Sequence, residues 1–319
     1  MTRSRCGWDD AGEVPEFANA ERLELEAVAR RFEGTLGICC QRLDGSPAAV
    51  LESSTLEVSG DELFPAASVI KIAIALEVFC QVDEGDLALA ERIALKDADK
   101  VVGSGVLAEL GPGLAPTIGD LVFLAMSISD NTAANLLVER VGVFSVNRRL
   151  AGLGLVKTRL SGKILVEETA RGPAANEDYG MTPSRADDDR DDGRGERSPV
   201  TPRELVRLLG CIHRKDGLPH GACDALLETL GKTQTASSIR RGLPEARFRD
   251  RAPARLYYKT GSIRGVVNDA GIVATERGAY AVALLSKGSR DLRPTQDNVA
   301  RVAFAEASRI VYRAMRAGD

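Results

Sequence analysis

The chain has 319 residues, 44% hydrophobic and 28% charged, with a formal net charge of −4. That composition belongs to a globular protein able to bury a large core. The slight acidic excess excludes the strongly basic surface expected of a nucleic-acid or anionic-membrane binder, and no apolar run approaches the roughly 20 residues that span a bilayer.

Residues 1–21 read as an N-terminal tail. MTRSRCGWDDAGEVPEF carries two arginines but no apolar core behind them, so no secretory leader is read and a cytoplasmic location is expected. Residues 16–33 show helical spacing of apolar side chains. GTLGICCQRL and AAVLESS follow as strands around the turn-like DGSP. Cys39 and Cys40 are adjacent in the first strand and must face opposite ways, which makes them poor joint ligands. With no CxxC and only His213 and His220, neither a metal nor an organic cofactor is expected.

A helix is read over 68–84, and four more helical patterns fill 118–215. The last of these opens with Thr201, Pro202 and Glu204, a helix-start signal. Residues 184–198, SRADDDRDDGRGERS, hold too little apolar material to pack and read as a mobile charged insertion. RLYYKTGS, VNDAGIVAT and AYAVALLSKG then read as strands, and a helix over 294–316 closes the chain. This order suggests an α/β domain built from 22–59 and 218–319, with a helical domain, 60–217, between its halves.

Three short stretches carry chemistry. In FPAASVIKIAIALEVF, residues 64–79, Lys71 sits in apolar company three residues after Ser68. Either its stem packs while its head reaches solvent, or it is a buried amine with a lowered pKa, able to act as base for a serine one turn away. Ser129-Asp130-Asn131 lies between two helical patterns and can be a simple helix cap. Lys259-Thr260-Gly261 lies on a strand and can be a strand end with a solvated lysine. An SxxK match alone arises by chance about once in a chain this long, but each fixed tripeptide is expected in only a few percent of such chains. All three in order, each in a fitting setting, are a poor match to chance.

Together with NDAGIV at 268–273, these motifs make the chain resemble the penicillin-recognising serine hydrolases, and most closely the class A β-lactamases, over about residues 22–316. The resemblance implies a β-lactamase/transpeptidase-like fold, α/β plus all-α, in which an antiparallel sheet is flanked by helices and joined to a helical subdomain. It also implies a small-molecule substrate and a monomer. By the same resemblance Ser68 is the acylated nucleophile, Lys71 its base, and Ser129 the proton relay to the leaving nitrogen. Asn131, Lys259, Thr260, Gly261 and Ser262 would bind substrate, with the Ser68 and Ser262 amides holding the oxyanion. Asp130 is read as a brace.

One departure stands out. Ile164 occupies the place where the family carries a water-activating glutamate, and Glu167 or Glu168 are the nearest substitutes, with Glu177 and Glu196 more remote. Val267 stands where many relatives have a carboxylate-binding arginine, for which Arg264 is a candidate. Three readings stay open: a β-lactam hydrolase, an acyl-enzyme esterase, amidase or acyltransferase on another substrate, and an idle binding protein. Intact SxxK, SDN and KTG argue against the last.

Overall fold

In a computed structural model, the structure describes residues 19–44, 55–111, 113–164, 198–244 and 254–316. A five-stranded antiparallel sheet runs in the order β2 (Thr55–Val58), β1 (Thr35–Arg42), β7 (Gly278–Lys287), β6 (Val266–Thr275), β5 (Ala254–Ile263). Both of its faces are covered, so its inner strands are apolar almost throughout. Along β1 the residues alternate: Leu36, Ile38 and Cys40 enter one core and Cys39 the other, as adjacency in a strand requires.

One face packs against α1 (Asn19–Arg31), α8 (Ser238–Gly242) and the terminal α9 (Val299–Arg316). The other face meets α6 (Pro202–Arg214), whose Thr201 hydroxyl accepts from the Glu204 amide at its start. The core beyond this face is organised around α2 (Lys71–Asp83), whose residues 71–80 are all buried. α3 (Ile118–Ser127), α4 (Asn131–Val141), α5 (Val143–Gly152) and α7 (His220–Leu230) surround it. A helix enclosed on every side needs apolar residues all round, which accounts for the run IAIALEVF. A two-residue ribbon, β3 (Phe64–Pro65) with β4 (Pro199–Val200), ties the approach to Ser68 to the start of α6.

Several elements differ from those read in the sequence. The strand at AAVLESS lies outside the described residues, while TLEV just after it forms β2. The terminal helix begins at Val299 rather than 294 because Asn298 and Asp291 cap it through the Ala300 and Val299 amides. α7 was not marked as a helix. Its Ala222, Cys223, Leu226 and Leu230, with Leu218, join the core that also holds side chains of α2 and α3. The charged stretch 184–197, and with it Glu167, Glu168, Glu177 and Glu196, lies outside the described residues.

Candidate active site

Ser68 lies not in the α-helix proper but in a 3-10 turn, Ala67–Ile70, that leads into α2. Ala67 takes a left-handed φ of +46°, a conformation uncommon for a residue with a side chain and one found where surrounding structure imposes it. The buried Asn268 side chain of β6 imposes it here, donating to the carbonyls of Pro65 (2.8 Å) and Ala66 (2.9 Å). On the other side β5 passes so close that a Cβ on Gly261 would sit 2.7 Å from the Ser68 nitrogen and 3.0 Å from that of Val69. Gly261 is therefore required by contact, not by its own backbone angles. The Lys71 amide donates to the Ser68 carbonyl, which puts base and serine on consecutive turns.

The second motif spans the α3–α4 junction. Ser129 also has a left-handed φ, +63°. Asp130 does the bracing: Oδ1 accepts from the Ala133 amide and caps α4, while Oδ2 accepts from the amides of Val106 (2.7 Å) and Leu107 (2.9 Å). The helix-cap reading was therefore correct for Asp130 and incomplete for its neighbours. Asn131 turns inward and donates to the Val102 carbonyl.

Lys71 and Lys259 converge on Ser129. Lys71 Nζ lies 2.6 Å from the Ser129 carbonyl, 2.8 Å from Asn131 Oδ1 and 3.3 Å from Ser129 Oγ. Lys259 Nζ lies 3.0 Å from the same Oγ and 2.8 Å from the Thr260 carbonyl. Both lysines are buried, at 1% and 0% exposure, so the solvated-head reading fails for each. Their nitrogens are no more than about 6.3 Å apart, the sum of the two bond lengths to the shared hydroxyl. Two ammonium charges at that separation repel by about 2.5 kcal/mol at an effective dielectric near 20.

Burial first, and the Lys259 charge second, hold the Lys71 amine well below the usual lysine range, against a smaller opposing pull from Asp130. Burial brings Lys259 to about 7, with Asp269 pulling the other way. A neutral Lys71 amine has two hydrogens and one lone pair. The Ser129 carbonyl and Asn131 Oδ1 are pure acceptors and take the hydrogens, which leaves the lone pair for a hydroxyl.

On β5, Thr260 Oγ1 donates to Thr235 Oγ1 at 2.8 Å, and Ser262 is exposed on the strand just beyond Gly261. Arg264 sits half-buried at the β5–β6 turn beside Gly265. Val267 is buried among the sheet and α9 side chains.

One turn beyond Asn131, a second asparagine of α4 faces another segment. Asn135 Oδ1 accepts from the Ile164 amide (2.6 Å) and its Nδ2 donates to the Ile164 carbonyl (2.8 Å). The Ile164 side chain packs against the helical core. Asn135, Asn268 and Thr235 were missed as site-builders. The spacing of Asn135, four residues after Asn131 on one helix face, was a usable signal for it.

Known proteins share this fold. The structure of a β-lactamase from Sphaerobacter thermophilus superposes with a TM-score of 0.75 at 31% identity, covering 93% of this chain and 97% of that one. A mutant of PBP-A, described as an acyl-enzyme complex with penicillin G, superposes with a TM-score of 0.73 at 26% identity over 94% of this chain and 98% of its own. β-Lactamase CARB-4 of Pseudomonas aeruginosa is 33% identical over 149 residues, 45% of this chain and 49% of CARB-4, so the chain spans about half the length of the curated relative it matches. The model of the β-lactamase enzyme family matches residues 22–315, and the chain belongs to that family.

Proposed function

We propose that the chain is a serine hydrolase of the class A β-lactamase type, taking small cyclic amides, β-lactams foremost, and acylated by them at Ser68. The observation that carries this reading is the single Ser129 hydroxyl held between two buried lysines, one of them three residues after Ser68. Ser68 Oγ attacks the lactam carbonyl and its proton passes to neutral Lys71 Nζ. The oxyanion is held by the Ser68 and Ser262 amides, whose strands and turn Gly261 brings into contact. Lys71 returns the proton through Ser129 Oγ to the departing nitrogen, and the C–N bond breaks. Lys259 and Thr260 receive the substrate carboxylate, and Asn131 its amide side chain. Glu167 or Glu168 activates the water that releases the acyl group.

A second reading is favoured by Ile164, a side chain with no proton acceptor, fixed beside the site by Asn135. In it the acyl-enzyme persists and an amine or alcohol, rather than water, is the better acceptor. PBP-A, a neighbour of the same fold, is described in acyl-enzyme form with penicillin G.

Intact mass spectrometry of the protein with penicillin G, from seconds to hours, tests both. An adduct on Ser68, absent from Ser68→Ala, is expected. Its rapid loss with opened penicillin accumulating supports the hydrolase, and loss slowed by Glu167→Gln or Glu168→Gln identifies the water activator. A lasting adduct supports the second reading. No adduct on the native protein, with no opened penicillin either, would sink acylation by β-lactams.

A further inference from the structure

We propose that Thr235 is a substrate-contacting residue: its hydroxyl, paired with that of Thr260, receives the substrate's carboxylate and favours acyl donors that carry one. The inference rests on the reading of Lys259 and Thr260 as the carboxylate's partners. Thr235 lies on the connection between α7 and α8, which joins the second motif to the third. The Gln234 amide donates to the carbonyl of Ser127 (2.8 Å), the last residue of α3 and two before Ser129. On the β5 side Thr233 Oγ1 donates to the Tyr258 carbonyl (2.8 Å), and Thr260 Oγ1 lies 2.8 Å from Thr235 Oγ1. Lys259 Nζ closes the ring, 3.0 Å from Ser129 Oγ and 2.8 Å from the Thr260 carbonyl.

Counting hydrogens shows what this ring lacks. A hydroxyl has one hydrogen and two lone pairs, and an ammonium has three hydrogens. Among the described residues the two threonine hydroxyls are bonded only to each other, which uses one of their two hydrogens. As an ammonium, Lys259 has a third hydrogen beyond its two acceptors. The ring therefore holds more donors than acceptors, and the complement is an anion. Asp269, opposite Thr260 in the β5–β6 register, does not supply it, since its Oδ2 accepts from Ser237 Oγ and the amides of Ser238 and Ile239. Bracing does not account for the Thr235 hydroxyl either. The connection is already tied through the Gln234 amide, Thr233 Oγ1 and the Tyr258 hydroxyl, which donates to the Thr235 carbonyl. Both threonines are only half-buried, so a ligand can reach them.

The test is made in Ser68→Ala, which can bind a lactam without being acylated. Calorimetry compares penicillin G with its methyl ester, the same molecule without the charge. Adding Thr235→Val removes the hydroxyl and keeps the branched shape. It should weaken penicillin G about tenfold and the ester by less than about twofold. Thr235→Ser, which keeps the hydroxyl, should recover most of the loss. A second measurement follows the carbon-13 signal of the Thr235 methyl, assigned by its absence from Thr235→Ser. It should shift when penicillin G is added and hold when the ester is.

Equal weakening of both ligands by Thr235→Val overturns the proposal and makes Thr235 a brace, and no weakening of either overturns it too. Should the valine variant fail to fold, a Thr235 methyl that ignores penicillin G overturns it equally. If Ser68→Ala binds neither ligand and the native protein gains no adduct, the β-lactam reading falls instead. Phenylacetate, a simple carboxylate, then replaces penicillin G in the methyl titration: a saturating shift supports the hydroxyl pair as a carboxylate site, and an unmoved signal overturns it.

Discussion

Helix α4 presents two asparagines one turn apart, and they meet very different partners. Asn131 meets Lys71, one of two buried amines around a hydroxyl, in a pocket where charge is crowded and a proton has somewhere to go. Among the described residues, the Asn135 side chain bonds the backbone of Ile164, whose side chain adds to the core. The same residue type at the same helix face holds a buried amine in one place and clamps a backbone segment in the other. The groups proposed for acylation thus lie among the described residues, whereas Ile164, the residue held by Asn135, carries no base on its side chain. The lesson is that one residue type on one helix face takes its part from what the fold places opposite it.

The sharpest way to break this contrast is Lys71→Met. Removing the base should slow adduct formation with penicillin G by about 10²–10⁴-fold, read as the adduct's growth in stopped-time mass spectra. An unchanged rate would mean that the lysine pair is not the proton acceptor.

Ile164→Glu probes the other end. A carboxylate introduced on the clamped segment should hasten loss of the acyl group, by up to about 10²–10³-fold if it reaches a water near the ester. The decay of the Ser68 adduct measures it. No acceleration, with acylation intact, would place the water-activating position elsewhere.

The pH profile comes next in size. Lys259 is protonated below about 7 and neutral above it, because burial favours the uncharged amine. Acylation by a carboxylate-bearing penicillin should therefore fall about tenfold for each unit of pH above that midpoint, as the cationic fraction falls. A donor without a carboxylate should not share this alkaline limb. A common limb for both would assign it to another group.

The smallest expected effect is on stability. Asn135→Ala leaves the Ile164 amide and carbonyl without their side-chain partner, costing about 1–3 kcal/mol, measurable by denaturant unfolding. Acylation should change far less than in Lys71→Met. Equal damage to acylation would show that the clamp and the lysine pair are one unit, contrary to the comparison.

Much of the site was legible because its residues travel in short blocks whose settings are local. Ser68 and Lys71 are one turn apart, Asp130 is placed to cap the helix that follows it, and the alternation around Lys259 marks a strand. The strands β5, β6 and β7 and helices α2 to α6 announced themselves by period for the same reason. The α7 helix did not, since HGACDALLETL lacks a sharp polar face and takes its place from packing on α2 and α3. Asn268, Thr235 and Asn135 were missed because a single polar residue in a strand, turn or helix carries no sign of what it will meet.

By itself, the sequence determined the α/β and helical character, the order of the elements, the three motifs and the identity of residue 164. These depend on side-chain periodicity and on neighbours within a few positions. Only the tertiary structure decided that Lys71 and Lys259 share one hydroxyl, that Gly261 touches the Ser68 turn, and that Thr235 meets Thr260. Those contacts join residues far apart in the chain, and their effect comes from burial: in water two lysines keep their ordinary charges, and enclosure in a poorly polarisable interior, with the Lys259 charge close by, holds Lys71 well below its usual range.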